Sequence, residues 1–308
     1  MATAIIGAGM AGLAAAAALK SGGQAVRLFD KGRGPGSRMA TRRTKLGEAE
    51  IAFDHGAQYF TVRSAEFRAA VDVWTRAGAV AEWGDGRHVG TPGMSNVIRA
   101  MAAPQDVTWG AQVSGIEGVP GAWRLRMADG LSTDEFDRVV VAVPAEQAAV
   151  LLLKPAPTLA AKAGSVQSAP CWAVMLGYAA STGLTAYALE PDAGPIAWAA
   201  RNSSKPGRTG AETWVLHASA DWSTEHLEAA PEQVSEALTG AFRKLTGVGA
   251  PDLAMAHRWR FARVIKPLGP AFQYDRALGL ATCGDWHLGA RVEAAWTSGH
   301  LLAAELLR

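Results

Sequence analysis

Hydrophobic positions follow two different patterns along the chain. The first residues form the apolar run Thr3-Ala4-Ile5-Ile6, then a glycine turn, then an alanine-rich stretch that ends at Leu19. An uninterrupted apolar run is typical of a parallel strand buried on both faces, and the alanine-rich stretch predicts a helix packed on it. The residue pair Gly22-Gly23 ends this helix, and a second strand is predicted over 24–29.

The buried-strand pattern returns twice. Arg138–Val143 is a continuous apolar run, and Pro144 suits the first turn of the helix after it. Leu278–Cys283 is another such strand, and a last helix is predicted to end near Leu307. Between the second strand and the run at 138–143, an amphipathic helix is predicted over 65–77, with Ser64 as its N-cap.

The pattern changes after the proline-rich break Lys154–Pro157. Strand-like pieces rich in Trp, Val and Tyr follow at 171–178, 196–200 and 213–219, and one amphipathic helix is predicted over 231–245. The segment 256–261 alternates polar and aromatic residues, as a strand with one face in a cleft does. We therefore predict an α/β chain with a Rossmann-like parallel-sheet domain and a second domain of antiparallel sheet and helices.

Composition limits the classes of partner. The chain has 308 residues, 49% of them hydrophobic, and a net charge of +2, so it offers no broad field to nucleic acid or an anionic membrane. Its two cysteines are far apart and fit neither a disulfide framework nor a zinc motif, so we expect no metal and a reducing, cytoplasmic setting. No basic segment precedes the apolar N-terminus, which we interpret as strand and helix rather than a leader or anchor.

The first glycine turn carries a dinucleotide fingerprint. Gly7 permits a tight turn, Gly9 admits a pyrophosphate close to the backbone, and Gly12 lets the helix pack on the strand. Asp30 follows the second strand 18 residues after Gly12, where a ribose-binding carboxylate is expected. The free N–H groups of the helix start favour a diphosphate.

Two further stretches suggest a large cofactor. A loop of interleaved glycine and arginine runs from Lys31 to Arg43, which suits a second phosphate contact. Near the other end of the chain, Gly284-Asp285 follows a buried strand and precedes the last helix. A buried strand, an acidic residue and a helix start thus occur together near each end of the chain. This repetition predicts that the domain binds a large cofactor, or two ends of one cofactor.

Together these motifs resemble flavoproteins of the glutathione-reductase-like and amine-oxidase-like superfamily. More narrowly, residues 29–39, 53–60, 92–94, 258–261 and 284–286 resemble renalase and its bacterial relatives over nearly the whole chain. Ser37 stands where many relatives carry glycine. The resemblance implies an FAD-binding domain of residues 1–56, 91–154 and 262–308, and a substrate domain of residues 57–90 and 155–261.

The resemblance also implies contacts with a non-covalent FAD. Gly7, Gly9 and Gly12 would hold the pyrophosphate, Asp30 the adenosine ribose, and Gly284 and Asp285 the pyrophosphate and ribityl side. Arg38, and with it Arg43, would lie beside the phosphates. His55, Gly56, Ala57 and Gln58 would border the isoalloxazine, and Val292 and Glu293 would aim backbone N–H groups at it. The remaining predicted FAD contacts are Met10, Ala11, Lys31, Met39 and Arg291.

The implied activity is oxidation of isomeric dihydronicotinamide dinucleotides, the 2- and 6-dihydro forms of NAD(P), to NAD(P)⁺. Hydride would pass to flavin N5, and reoxidation by O2 would give H2O2, with no side chain acting as acid or base. Asn202, His217 and Trp259 would form the substrate wall. The basic residues Arg201, Lys205, Arg208 and Arg258 would meet the substrate's phosphates.

Three alternatives remain open from the sequence. A flavin amine oxidase needs an aromatic cage for a free-base amine, which Tyr178, Trp198 and Trp259 would supply. A non-enzymatic flavin-binding module would bind FAD without being reduced by a substrate. A plain NAD-dependent dehydrogenase would be colourless as purified.

Overall fold

The structure is a computed structural model that describes residues 1–308. Nine helices are present: α1 Met10–Ser21, α2 Ala65–Arg76, α3 Ser95–Ala102, α4 Ala145–Leu152, α5 Pro157–Gly164, α6 Ala220–Glu225, α7 Pro231–Thr246, α8 Asp285–Leu288 and α9 Val292–Leu306. None of them combines the length and the apolar character that crossing a bilayer requires.

The strands are β1 Ala2–Ile6, β2 Ala25–Asp30, β3 Thr41–Leu46, β4 Ala49–Asp54, β5 Val80–Glu82, β6 His88–Gly90, β7 Val107–Trp109, β8 Val113–Val119, β9 Ala122–Met127, β10 Arg138–Val141, β11 Gln167–Tyr178, β12 Ala188–Leu189, β13 Ile196–Arg201, β14 Glu212–Ala218, β15 Leu253–Lys266, β16 Gln273–Asp275 and β17 Leu280–Thr282. A 3-10 turn spans Ser37–Met39.

A six-stranded sheet forms the first domain, in the order β16-β17-β10-β1-β2-β7. Its central strands pair in parallel, and only the edge strand β16 runs antiparallel to its neighbour. Every residue of β10 and β17 is buried, as the continuous apolar runs predict. The predicted Rossmann-like parallel sheet is confirmed.

Two glycines set the packing of the helices on this sheet. A Cβ at Gly12 would lie 2.0 Å from the carbonyl oxygen of Gly7, so only glycine lets α1 approach the end of β1. A Cβ at Gly299 would lie 2.0 Å from the carbonyl oxygen of Ala11, so α9 packs on α1 backbone to backbone. These contacts place α1 and the middle of α9 against one another in one layer on the sheet.

A five-stranded antiparallel sheet forms the second domain, in the order β12-β13-β14-β11-β15. One face buries Trp172 and Trp214 against α7, which contributes Phe242 and its apolar neighbours. From the other face, Met175 and Val215 pack on Ile51 and Phe53 of the β3–β4 hairpin. The predicted antiparallel sheet with a helix beside it is confirmed, and its second face is turned toward the first domain.

The boundary between the domains differs from the predicted one. Helix α5 lies beyond the predicted break at 154–157, yet its apolar side chains join α4 in the core beneath the six-stranded sheet. Phe67, Val71 and Trp74 of α2 belong to the core that α1 and α9 form, so residues 65–76 pack with the first domain. Periodicity indicates a buried face of a helix, but it does not indicate which sheet covers that face.

Candidate functional site

The glycine turn after β1 leaves a helix start open. Gly7 has φ +104°, a conformation that favours glycine. Gly9 is the N-cap of α1, and no side chain caps this helix. A Cβ at Gly9 would lie 3.3 Å from Ser37 Oγ, so the absence of a side chain keeps a gap between the turn and the 3-10 turn. The first-turn N–H groups of α1 therefore have no side-chain acceptor, as in a helix start that binds an anion. The side chains of Met10 and Ala11 are buried.

Asp30 closes the turn from the end of β2. Its carboxylate accepts hydrogen bonds from the backbone N–H of Ala8 and of Gly32, both at 2.7 Å. Each carboxylate oxygen has a second acceptor site, so Asp30 can still accept from hydroxyl groups. Lys31 is exposed, and its Nζ lies 3.5 Å from Gln147 Oε1.

Arg38 and Asp285 join the two ends of the chain. The guanidinium donates from Nη1 to Asp285 Oδ2 at 2.9 Å and from Nη2 to Oδ1 at 2.7 Å. Gly56 packs closely on the backbone of Arg38, since a Cβ added at Gly56 would lie 2.1 Å from the Arg38 carbonyl oxygen. The N–H of Ala57 donates to that same oxygen at 2.8 Å. Met39 instead turns its side chain into the core.

The start of α9 is a second open helix start. Arg291 is its N-cap, with an exposed side chain that makes no cap. The Glu293 carboxylate accepts from the backbone N–H groups of Arg63 at 2.9 Å and Ser64 at 2.7 Å. The side chain of Glu293 thus holds the segment before α2, while the helix start of Val292 and Glu293 keeps its N–H groups free of side-chain partners.

Four rings meet where the five-stranded sheet faces the first domain: His55, His217, His257 and Trp259, here called the ring cluster. His217 and His257 are both register partners of Ala173, so their side chains share one face. The His55 ring centroid lies 4.7 Å from that of His257 and 5.2 Å from that of Trp259, and the last two are 4.4 Å apart. Trp259 Nε1 donates to the His55 carbonyl oxygen at 2.8 Å.

The histidines of the ring cluster are neutral at pH 7. Burial lowers the pKa of His55 and of His217 to about 4. The charge of Arg42 lowers the pKa of His55 and of His257 further, and that of Arg263 lowers the pKa of His217. Asp54 is the one carboxylate that raises any of these pKa values, through its effect on His55.

Asp54 belongs to a buried ionic network behind the ring cluster. Its carboxylate accepts from Lys205 Nζ at 3.2 Å and from Arg208 Nη2, and all three side chains are buried. Burial alone would raise the pKa of Asp54, but the two cations outweigh burial and lower it to about 2. Lys205 Nζ also lies 3.2 Å from Gln58 Oε1, so the network holds the amide of Gln58.

Several predicted substrate contacts have other partners. Asn202 is fully buried; its Oδ1 accepts from Asp54 N–H at 3.2 Å and its Nδ2 donates to Ala52 O at 2.8 Å, so it supports β4 from behind. Lys205 and Arg208 are held by Asp54 in the same core. The predicted phosphate cluster fails for these residues because burial commits each donor to the fold.

Arg201 and Arg258 are also committed. Arg201 Nη1 donates to Leu184 O at 2.6 Å. The side chain of Arg258 lies on the face of β15 opposite to those of its neighbours 257 and 259. Its guanidinium lies over the Trp172 ring and forms an ion pair with Glu228 at 2.7 Å. The four basic residues that the sequence grouped therefore do not come together. Of the predicted substrate wall, only His217 and Trp259 lie together in the ring cluster.

The predicted aromatic cage does not form either. Tyr178 packs in the core on the α7 side of the sheet. Trp198 pairs with Tyr59, with ring centroids 5.6 Å apart, and Arg87 lies over both rings at 5.5 Å and 5.1 Å. A cation of the chain itself thus occupies this aromatic pair.

Sequence reasoning missed His257 and Arg42. His257 stands two residues before Trp259 in the alternating stretch 256–261, so its position on the same face was a usable signal. Arg42 was passed over for Arg43, yet the β3–β4 register places them on opposite faces, and Arg43 lines a separate cleft with Glu50. No group of three or more His, Cys, Asp or Glu side chains is arranged to hold a metal ion.

Two family models match the chain. Residues 5–76 match the NAD(P)-binding Rossmann-like domain, and residues 79–307 match the flavin containing amine oxidoreductase model. The second match spans more than half of the chain and includes the whole five-stranded sheet.

Solved structures share the fold at low identity. A protein from Exiguobacterium sp. 255-15, assigned as a protoporphyrinogen oxidase, aligns with a TM-score of 0.78 and 12% identity over 99% of this chain and 98% of that one. Cyclohexylamine oxidase from Brevibacterium oxydans IH-35A gives 0.72 and 13%, with the same coverage. A triple mutant of putrescine oxidase gives 0.70 and 13%, again over 99% and 98%.

Proposed function

The chain belongs to the flavin-containing amine oxidoreductase family, and on that premise we propose that it oxidises isomeric dihydronicotinamide dinucleotides, the 2- and 6-dihydro forms of NAD(P). Family membership makes it an FAD-dependent oxidoreductase. The substrate and the residues that meet FAD are our proposal.

The residues of the first domain fit FAD. Two helix starts without side-chain caps, those of α1 and α9, offer N–H groups to anionic or carbonyl oxygens. A side chain at Gly9 would fill the gap beside Ser37, and Asp30 keeps acceptor sites for ribose hydroxyls. The predicted contacts thus remain the proposed cofactor set. Burial raises the pKa of the free thiols Cys171 and Cys283 to about 12, which supports a non-covalent cofactor.

One observation carries the choice of substrate: the rings of the ring cluster are uncharged, and the charged groups that act on them are mainly the cations Arg42, Arg263 and Lys205. The only carboxylate that acts on the ring cluster, Asp54, is already paired with Lys205 and Arg208. A free-base amine would need an aromatic cage there, but the aromatic pair of Tyr59 and Trp198 already holds Arg87. A dinucleotide brings a neutral dihydropyridine ring and negative phosphates, which match both properties.

When bound, FAD supplies the redox chemistry: it takes the two electrons and the hydrogen nucleus that leave the dihydropyridine, freeing NAD(P)⁺, and with one further proton it gives H2O2 from O2. The side chains position the ring and exclude water. Trp259, fixed through Nε1 to the His55 carbonyl oxygen, offers a flat apolar face. His217 and His257 stay uncharged, so they add no repulsion as the nicotinamide becomes cationic.

Anaerobic mixing tests the proposal. The purified yellow holoprotein is mixed with 2-dihydro-NAD(P), with 6-dihydro-NAD(P), with the ordinary 4-dihydro forms and with a panel of primary amines, and the loss of flavin absorbance is followed. We expect rapid bleaching by a 2- or 6-dihydro isomer and one equivalent of H2O2 when air is admitted. Bleaching by an amine and by none of the isomers would establish the amine oxidase alternative.

A further inference from the structure

Arg42 is a charged side chain without an anionic partner beside the ring cluster. The ion pairs of the structure include neither Arg42 of β3 nor Arg263 of β15. Both side chains are exposed. A pair of free guanidinium groups flanking a neutral aromatic surface is the donor set that phosphate oxygens prefer.

The strand register fixes where Arg42 lies. Arg42 pairs with Phe53 and Thr44 pairs with Ile51 across the β3–β4 hairpin, so Arg42 shares the face that packs on the five-stranded sheet. At the far end of that face, Leu46 packs in the cluster that also contains Leu253 and Met255 of β15.

Successive residues on this face then run alongside β15. A Cβ built on Gly177 would lie 3.4 Å from Leu253 and 3.6 Å from Leu46, which fixes these two leucines near one point. Residues on one face of a strand are two positions apart, so Arg42 lies two such positions from Leu46 on β3, and His257 lies two such positions from Leu253 on β15. Arg42 and His257 are therefore placed close to one another. The effect of the Arg42 charge on the pKa of His257 agrees with this placement. Arg263 lies six residues further along β15, beyond Trp259.

We propose that Arg42, with Arg263 beyond the rings, forms a subsite for the phosphate groups of the substrate. The inference rests on the proposed function in one respect, that the substrate is a dinucleotide. FAD carries the same diphosphate chemistry, but the open start of α1 and the gap at Gly9 fit that diphosphate in the first domain. Arg42 is thus a specificity-determining residue that distinguishes a dinucleotide from a phosphate-free dihydronicotinamide.

The test uses Arg42→Gln in the holoprotein, with Lys45→Gln as the matched control, an exposed cation on the opposite face of the same strand. Both variants and the wild type are reduced anaerobically with 6-dihydro-NAD and with phosphate-free 6-dihydronicotinamide riboside. We expect Arg42→Gln to raise the Kd for the dinucleotide roughly tenfold, equal to about 1.4 kcal/mol. Its Kd for the riboside, its limiting rate of bleaching and its FAD content should stay within twofold of the wild type.

Titration with ADP-ribose, followed by tryptophan fluorescence of the holoprotein, separates this proposal from the function itself. If no dihydronicotinamide bleaches the wild type, the proposed function fails, yet a tenfold weaker ADP-ribose affinity in Arg42→Gln alone still supports the subsite. Equal ADP-ribose affinity in all three proteins overturns the subsite. So does loss of FAD from Arg42→Gln, because the guanidinium would then serve the cofactor.

Discussion

Replacing Asp54 with asparagine removes the one negative charge from the buried network while keeping the shape of the side chain. Asp54 is fully buried and accepts from Thr41 Oγ1 and Met94 N–H, both at 2.8 Å, besides its two cationic partners. The asparagine amide keeps an oxygen for the neutral donors. Lys205 and Arg208 are left without a counterion in a site that excludes water.

The magnitude follows from how each cation responds. Burial lowers the pKa of Lys205 to about 8 even though the Asp54 charge raises it, so without that carboxylate the ammonium can lose its proton at pH 7 for roughly 1 kcal/mol or less. Arg208 has no such escape and loses a charge-assisted hydrogen bond, which contributes about 1.5–3 kcal/mol. We expect Asp54→Asn to lower the free energy of unfolding by about 3–4 kcal/mol, within the range for breaking a buried ion pair.

Urea denaturation at pH 7 with FAD held at one saturating concentration measures this change. Glu228→Gln is the control, because Glu228 is exposed and solvent screens its ion pairs with Arg258 and Arg260, which therefore stabilise the fold far less than the buried pairs. The double variant Asp54→Asn/Lys205→Met should recover part of the loss, since it removes one of the unpaired cations. If Asp54→Asn cost no more than Glu228→Gln, the assignment of the network as a structural element would be refuted.

Three further results are expected. Gly299→Ala should lower the urea midpoint and release FAD, because the new methyl group would lie 2.0 Å from the Ala11 carbonyl oxygen; an unchanged midpoint would contradict the close packing of α9 on α1. Acidification from pH 6.5 to pH 5 should lower the free energy of unfolding by about 2 kcal/mol for each of His55 and His217. Their pKa is about 4 in the fold and 6.5 in the unfolded chain, so the unfolded chain binds more protons in this range of pH. A free energy of unfolding that did not change there would show that the rings are not held neutral. Arg87→Ala should open the aromatic pair that this side chain covers and admit tetramethylammonium, seen as quenching of tryptophan fluorescence, and the absence of quenching would show that the pair is not a cation site.

The elements that the sequence predicted best are those in which local pattern and tertiary role coincide. The apolar runs of β1 and β10 indicated parallel strands, because a strand covered on both faces has no polar side to alternate with. Ser64 indicated a helix start, and its Oγ accepts from Phe67 N–H at 3.3 Å. Such signals lie within a few residues of the feature that they predict.

The basic turn at 201–208 shows what local pattern leaves out. Its residues have the composition of a solvated phosphate loop, but Lys205 is fully buried between Asp54 and Gln58, which lie about 150 residues earlier. A charge is stable there only because distant residues supply its partners. The same reason explains why Arg42 was missed: its role depends on a hairpin register that faces it toward β15.

The Arg38–Asp285 pair has a consequence for how the protein is made. Strand β10 inserts beside β1, β17 beside β10, and Asp285 reaches Arg38 from 247 positions later in the chain. A ribosome must therefore finish almost the entire polypeptide before the Arg38–Asp285 pair can form, and the sheet lacks strand β17 until that point. On the proposed set of FAD contacts, we expect a chain truncated before Asp285 to purify without flavin, so the yellow colour of a preparation would indicate that synthesis had passed this residue.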